Sequence, residues 1–337
     1  MNINKNDPGI HSNARIRLVY ILAASHSGST LLSMVLGSHP QIATVGELKF
    51  TAMGNIDRYR CSCHEEIRKC SFWNDIVMDM DKRGFVFDLK NAGTDFQSAG
   101  NGYTRYLLHP LHRGPFLEAL RDAGLSLSFV WRKEYEKIQS KNLALLDSIA
   151  KRLGKRIIVD SSKLAVRLKY LLRNSAIDVR VVRLIRDGRA VALTYTDSAR
   201  FADASERDLR GGGMGIMRDY KRLPMREAAM EWRRSNEEEE SLLATIDPSL
   251  SIEVRYEDFC KQPSVALNRI FNFLDVAPVD VITAFRNTVQ HVVGNGMRLN
   301  SNREIRFDEQ WREILTKKDL EVFESVAGDL NRRLGYI

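Results

Sequence analysis

The chain has 337 residues, 44% hydrophobic and 28% charged, with a net charge of +8 and a pI of about 9.3. That balance belongs to a folded globular protein and excludes a disordered chain. No apolar run approaches the roughly 18 residues of a membrane helix, and the basic residues are scattered among acids, so the charge reads as an ordinary basic surface suited to an anionic ligand rather than a nucleic-acid groove.

The first 15 residues are polar, and the apolar run Leu18–Ala24 is too short for the core of a secretion signal, so a cytoplasmic location is expected. Residues 16–24 read as a strand buried on both faces, and Ser25-His26-Ser27-Gly28 follows as a glycine turn. Leu31, Leu32, Val35 and Leu36 then recur at helical spacing, with Gly37 where a C-cap glycine belongs. Cys61, Cys63 and Cys70 cluster, while Cys260 stands alone. With His64 they present four soft ligands in a span short for a zinc site, so reduced thiols, a local disulfide and a metal are all open, with plain thiols the default.

Residues 75–130 give mixed signals. Helices are predicted over 134–153, 164–173, 187–198, 265–274 and 318–334, and strands over 156–160, 179–185 and 252–256. Such alternation predicts a mostly parallel sheet covered on both faces, with ligands at the carboxyl ends of its strands. The glycine-dense stretch 200–222 reads as a mobile loop and candidate lid, and Glu237–Glu240 as the solvated face of a helix. Without repeats or linkers, the chain is expected to be one domain over 1–337, with a core of about 16–315 and insertions at 50–130 and 200–225.

Two segments carry phosphate chemistry. Ser27-Gly28-Ser29-Thr30 lies between a buried strand and a helix start, where free N–H groups, the helix dipole and hydroxyls converge on an anion. In Walker A register, Gly28 and Thr30 fit, but Ala23 replaces the first glycine and Ser29 the lysine, which argues against a nucleoside triphosphate. In the second segment Arg186 ends a buried strand and Thr194 follows eight residues on, two helical turns along, so both can address a terminal phosphate. Arg189 is expected to pair with Asp187 at the surface.

Together, in this order, these motifs resemble the 5′-phosphosulfate loop and the 3′-phosphate motif of sulfotransferases that use 3′-phosphoadenosine 5′-phosphosulfate (PAPS). Val254-Arg255-Tyr256-Glu257-Asp258 is similar to a family segment whose tyrosine faces the nucleotide. Gly294-Asn295-Gly296-Met297-Arg298, with Ile305 and Trp311, resembles the late loop that closes over the cofactor in bacterial members. The resemblance implies a three-layer α/β fold like that of P-loop NTPases, PAPS as donor with PAP (3′-phosphoadenosine 5′-phosphate) as product, and no metal requirement. It implies contacts to the donor from His26, Ser27, Gly28, Ser29, Thr30, Arg186, Thr194, Tyr256, Gly294, Asn295, Met297 and Arg298. The acceptor would be a hydroxyl or amine of a small molecule or carbohydrate.

The pattern departs from the family at His26, where Lys or Arg is usual. The imidazole is assigned as leaving-group donor, with Lys163 as the rival cation. Glu47 is the expected base, with His109 and His112 as alternatives. The competing functions are a P-loop kinase or NTPase and a catalytically silent PAP-binding protein.

Overall fold

The computed structural model describes residues 15–50, 53, 55–98, 102–108, 114–197, 223–300 and 303–337. Five parallel strands form its sheet: β1 (Ile16–Leu22), β2 (Ile42–Thr44), β3 (Ile157–Lys163), β4 (Ile177–Ile185) and β5 (Ser251–Arg255), in the order β2-β3-β1-β4-β5. β1 is central because both its neighbours pair with it along its length, which is why its sequence is apolar almost throughout. Leu18, Tyr20 and Leu22 enter one core, and Val19 and Ile21 another. This alternation is the two-residue period of a strand covered on both faces. Each such fully buried aliphatic side chain contributes about 1.5–3 kcal/mol.

The first core is closed by α2 (Ser71–Lys82), α5 (Phe129–Leu153) and α6 (Ala165–Leu171). The second is closed by α1 (Ser29–Leu36) and the helices α10 (Pro263–Phe273) and α11 (Val281–Asn287). A third cluster joins α7 (Gly188–Thr196), α8 (Met225–Leu243) and α13 (Lys317–Arg333) around Trp232 and Phe323. The remaining helices are α3 (Gly102–Leu107), α4 (Gly114–Leu127), α9 (Tyr256–Lys261) and α12 (Trp311–Ile314). No helix among the described residues is long and apolar enough to cross a membrane.

Several expectations change in detail. β2 has three residues, too few to show a period, and was not foreseen. α5 begins earlier, at Phe129, because Ser128 accepts a bond from the Trp131 N–H and caps it. Gly37 is the C-cap of α1 but with an ordinary helical φ of −65°. A Cβ there would stand 2.4 Å from Thr44 Cγ2, so close approach of β2 is what demands glycine. The acidic run of α8 is not wholly solvated: Glu239 is buried, its Oε2 3.4 Å from Arg183 Nε, and burial pushes its carboxyl up to about 8. The stretch 200–222 falls outside the described residues.

Candidate functional site

At the carboxyl end of β1 the chain turns through two left-handed residues, His26 (φ 67°) and Gly28 (φ 87°). Histidine is among the residues that tolerate that region, and glycine enters it freely. A Cβ on Gly28 would also meet the Tyr256 ring at 2.5 Å. Gly28 therefore both turns the chain and lets the tyrosine lie against the loop. No side chain caps α1, and its first helical bond runs from the Leu32 N–H to the Gly28 carbonyl. The N–H groups of the preceding turn are free of intrahelical acceptors. Ser27 Oγ is buried and has no hydrogen-bond partner in the protein.

Arg186 leaves the end of β4, the strand beside β1. Its Nη1 donates to the His26 carbonyl at 2.8 Å, tying the arginine to the glycine loop. Its guanidinium lies over the Tyr256 ring, 4.3 Å from the centroid, and its Nη2 donates to Asp308 Oδ2 at 2.8 Å. The buried Nε has no protein partner. Thr194 is buried on α7, where its hydroxyl donates to the Ala190 carbonyl at 3.3 Å, and the neighbouring Tyr195 meets the His26 ring edge-on at 5.1 Å. Tyr256 donates from its hydroxyl to the Arg306 carbonyl at 3.1 Å, so its ring rather than its phenol faces the loop and the arginine. The loop, Arg186 and Tyr256 thus form one cradle with unsatisfied donors, which fits an anionic ligand.

The start of α7 is closed. Asp187 Oδ1 accepts from the Arg189 N–H at 2.9 Å, the Gly188 N–H donates to Asn331 Oδ1 at 2.9 Å, and the Asp187 N–H to Glu257 Oε1 at 3.0 Å. Arg189 forks onto Asp187, as expected, and also lies over Trp311 at 4.1 Å.

Glu47 is held beside the end of β3. Its N–H donates to the Val293 carbonyl at 3.1 Å, the Ser161 N–H to the Gly46 carbonyl at 3.0 Å, and the Leu48 and Lys49 N–H groups to Asp160 Oδ1 and Ser162 Oγ, both at 3.1 Å. Lys163, itself left-handed at φ 73°, donates from Nζ to Glu47 Oε1 at 2.5 Å, and Lys49 Nζ lies 3.7 Å from Oε2. Burial pushes the Glu47 carboxyl up, but the two lysines outweigh it and hold it below the usual carboxylate range. The carboxyl is therefore ionised at neutral pH. Glu47, the expected base, and Lys163, the rival of His26 as the leaving-group cation, are one ion pair. Gly294 passes so close that a Cβ would stand 3.0 Å from Glu47 Cγ.

Within the late loop, Asn295 Oδ1 caps the turn by accepting from the Met297 N–H at 2.9 Å, and Met297 packs on the α1 core. Arg298, grouped with the donor contacts in sequence, is fully buried. Nε and Nη2 donate to the Arg60 carbonyl, Nη1 donates to the Gly294 carbonyl at 2.7 Å, and the guanidinium lies over Tyr59. Its position is that of a fastener between the 55–65 segment and the late loop.

Sequence reasoning missed Asp308, which nothing local marks, and a buried network behind Glu47. There Asp160 accepts from Leu48, Ser162 and Arg167, and Arg167 reaches the Thr94 carbonyl and Asn142. Asp160-Ser161-Ser162 at a strand end was the available hint. His109 and His112 lie outside the described residues.

A glycine loop opening a helix after the central strand of a parallel sheet, with an arginine from the adjacent strand end, defines the P-loop-like α/β class. The family model described as "Sulfotransferase family" matches residues 19–281, and the chain belongs to that family. Its fold resembles the sulfotransferase domain from the curacin biosynthetic pathway, at 17% identity over 96% of this chain and 99% of that one, with a TM-score of 0.53. More distant likenesses include mouse sulfotransferase SULT7A1 complexed with PAP, at 13% identity over 95% and 89% of the two chains and a TM-score of 0.42, and STF9 from Mycobacterium avium, at 13% over 96% and 78% with a TM-score of 0.46. No curated protein matches the sequence.

Proposed function

We propose that this transferase moves a sulfuryl group from PAPS to a hydroxyl or amine of a small-molecule or carbohydrate acceptor, as a single domain. The observation that carries the reading is the pair of buried atoms without protein partners, Ser27 Oγ and Arg186 Nε, in a cradle tied together by the Arg186–His26 bond. Leaving such donors unmet costs about 1–3 kcal/mol each, which a phosphorylated ligand would offset. Ser27, Gly28, Ser29 and Thr30 would hold the 5′-phosphate and Arg186 and Thr194 the 3′-phosphate, with Tyr256 against the nucleotide. PAPS supplies an activated sulfuryl group whose S–O bond to the 5′-phosphate breaks as the bond from the acceptor oxygen or nitrogen to sulfur forms. In that step Glu47, already ionised, takes the acceptor proton, and Lys163 steadies the carboxylate. His26 donates to the bridging oxygen that leaves with PAP.

Melting curves with PAP, with ATP and with ATP plus Mg²⁺ test this. At about 100 times its Kd, PAP is expected to stabilise the chain by roughly 2.7 kcal/mol. The shift should disappear in Arg186→Ala and ignore Mg²⁺. A shift with Mg–ATP and none with PAP would replace the proposal by a kinase. A PAP shift with no transfer to any of a panel of acceptors would favour the silent binding protein, a reading that His26 motivates.

A further inference from the structure

The three clustered cysteines come together with a fourth group far along the chain. The sulfurs of Cys61, Cys63 and Cys70 and a ring nitrogen of His291 all lie within 4.8 Å of one another. Cys70 Sγ is 3.4 Å and Cys61 Sγ 3.8 Å from His291 Nδ1, and Cys63 Sγ is 3.7 Å from Cys70 Sγ. A tetrahedral zinc site with Zn–S near 2.3 Å and Zn–N near 2.0 Å has edges of about 3.8 Å between sulfurs and about 3.5 Å between sulfur and nitrogen. A disulfide would instead need two sulfurs at about 2.05 Å, and all four cysteines are free. Three thiols converging on one imidazole nitrogen are more than a single bridge explains.

We propose that Cys61, Cys63, Cys70 and His291 Nδ1 form a structural site for a tetrahedral thiophilic dication, zinc. His64, the histidine adjacent in sequence, is not part of it.

The surroundings suit such a site. Cys61 and Cys63 stand on a tight turn closed by the His64 N–H donating to the Cys61 carbonyl at 2.8 Å, with His64 left-handed at φ 71°. The turn lets two sulfurs separated by one residue face the same point. Cys70 sits at the N-cap of α2, where its side chain makes no cap bond, so its sulfur is not used up by the helix start. The His291 ring is stacked on Phe72 at 4.6 Å and 3°, which fixes its orientation.

The four ligands join two distant stretches of chain. Between them Ser62 is already laced to the late loop, its N–H to the Val292 carbonyl at 3.2 Å and its hydroxyl to the Gln290 carbonyl at 2.6 Å. Val293 in turn accepts from the Glu47 N–H. The ion would clasp the 55–82 segment to the 290–293 stretch that positions Glu47, so its task is to fasten rather than to react. This inference does not depend on the identity of the sulfuryl donor.

The test is metal analysis of the full chain, made without a polyhistidine tag and never exposed to chelator. Plasma mass spectrometry is expected to find roughly one equivalent of zinc. Cys70→Ser and His291→Ala should lose it, while Cys260→Ser and His64→Ala keep it. If the first two variants do not fold, Co²⁺ exchange into the wild-type chain keeps the test decisive, through thiolate-to-cobalt absorption and the strong visible bands of a tetrahedral ion. Below about a tenth of an equivalent, with no cobalt spectrum, the proposal fails. So it does if the intact mass shows a disulfide, or if His291→Ala retains its zinc while His64→Ala loses it.

Discussion

Two neighbouring helices, α1 and α7, leave the carboxyl ends of the adjacent strands β1 and β4, and the protein treats their N-termini in opposite ways. α1 opens with Gly28 and no cap, beside the unpaired hydroxyl of Ser27. α7 opens under Asp187, which caps it, pairs with Arg189, and is met by Asn331. Both ends carry the same partial positive charge. One spends it inside the protein, and the other leaves it for a ligand. A helix start therefore marks a binding site only when its own chain has declined to satisfy it. The end of β3 offers a third treatment, a carboxylate and a lysine that neutralise each other beside the loop.

The largest expected effect separates chemistry from binding. Glu47→Gln touches neither helix end, so PAP should still raise the melting temperature, while turnover falls by about 10²-fold or more. Full turnover in that variant would remove Glu47 from the reaction. Next, the two helix ends should fail in different currencies. Asp187→Ala removes a cap, an ion pair and a buried contact, and is expected to cost about 2 kcal/mol in urea denaturation. Ser27→Ala removes a buried hydroxyl that has no partner, so stability should hold or rise slightly, while PAP affinity by calorimetry falls about tenfold, the scale of one hydrogen bond to a charged group. If Ser27→Ala destabilised the chain and left PAP affinity alone, the contrast between open and closed ends would be lost.

The same contrast governs what was legible in the sequence. The glycine loop, the arginine at the end of β4 and the core strands are local patterns, written in consecutive residues, and they could be read there. So could Arg189 with Asp187, two residues apart. What escaped was non-local. β2 is too short to show a period, and Asp308 and His291 come to their sites through folding alone. Lys163 and Glu47 were each singled out, yet their ion pair depends on β3 packing beside the Val45-Gly46-Glu47 turn. Arg298 was placed with the ligand by motif, whereas its burial against Arg60 and Tyr59 shows how completely a cation can be used up by carbonyls and a ring. The acidic run of α8 misled for the same reason, since Arg183 reaches it from β4, more than fifty residues earlier in the chain.

The smallest expected effect falls on the closure of the open site. Asp308 Oδ2 takes one nitrogen of Arg186, and the same carboxyl group accepts from the Gln310 N–H through Oδ1 at 3.1 Å. A carboxylate on that fork is the kind of anion a 3′-phosphate would have to displace. The pair is partly exposed, so its worth is about 0.2–1 kcal/mol. Asp308→Asn keeps an oxygen for the Gln310 cap and removes the charge. PAP affinity is then expected to rise by about two- to fivefold. Adenosine 5′-phosphate, which lacks the 3′-group, should bind the variant and the parent alike. A fall in PAP affinity would mean instead that Asp308 holds the guanidinium in place for the ligand, and that Arg186 needs a partner on both sides of the cradle.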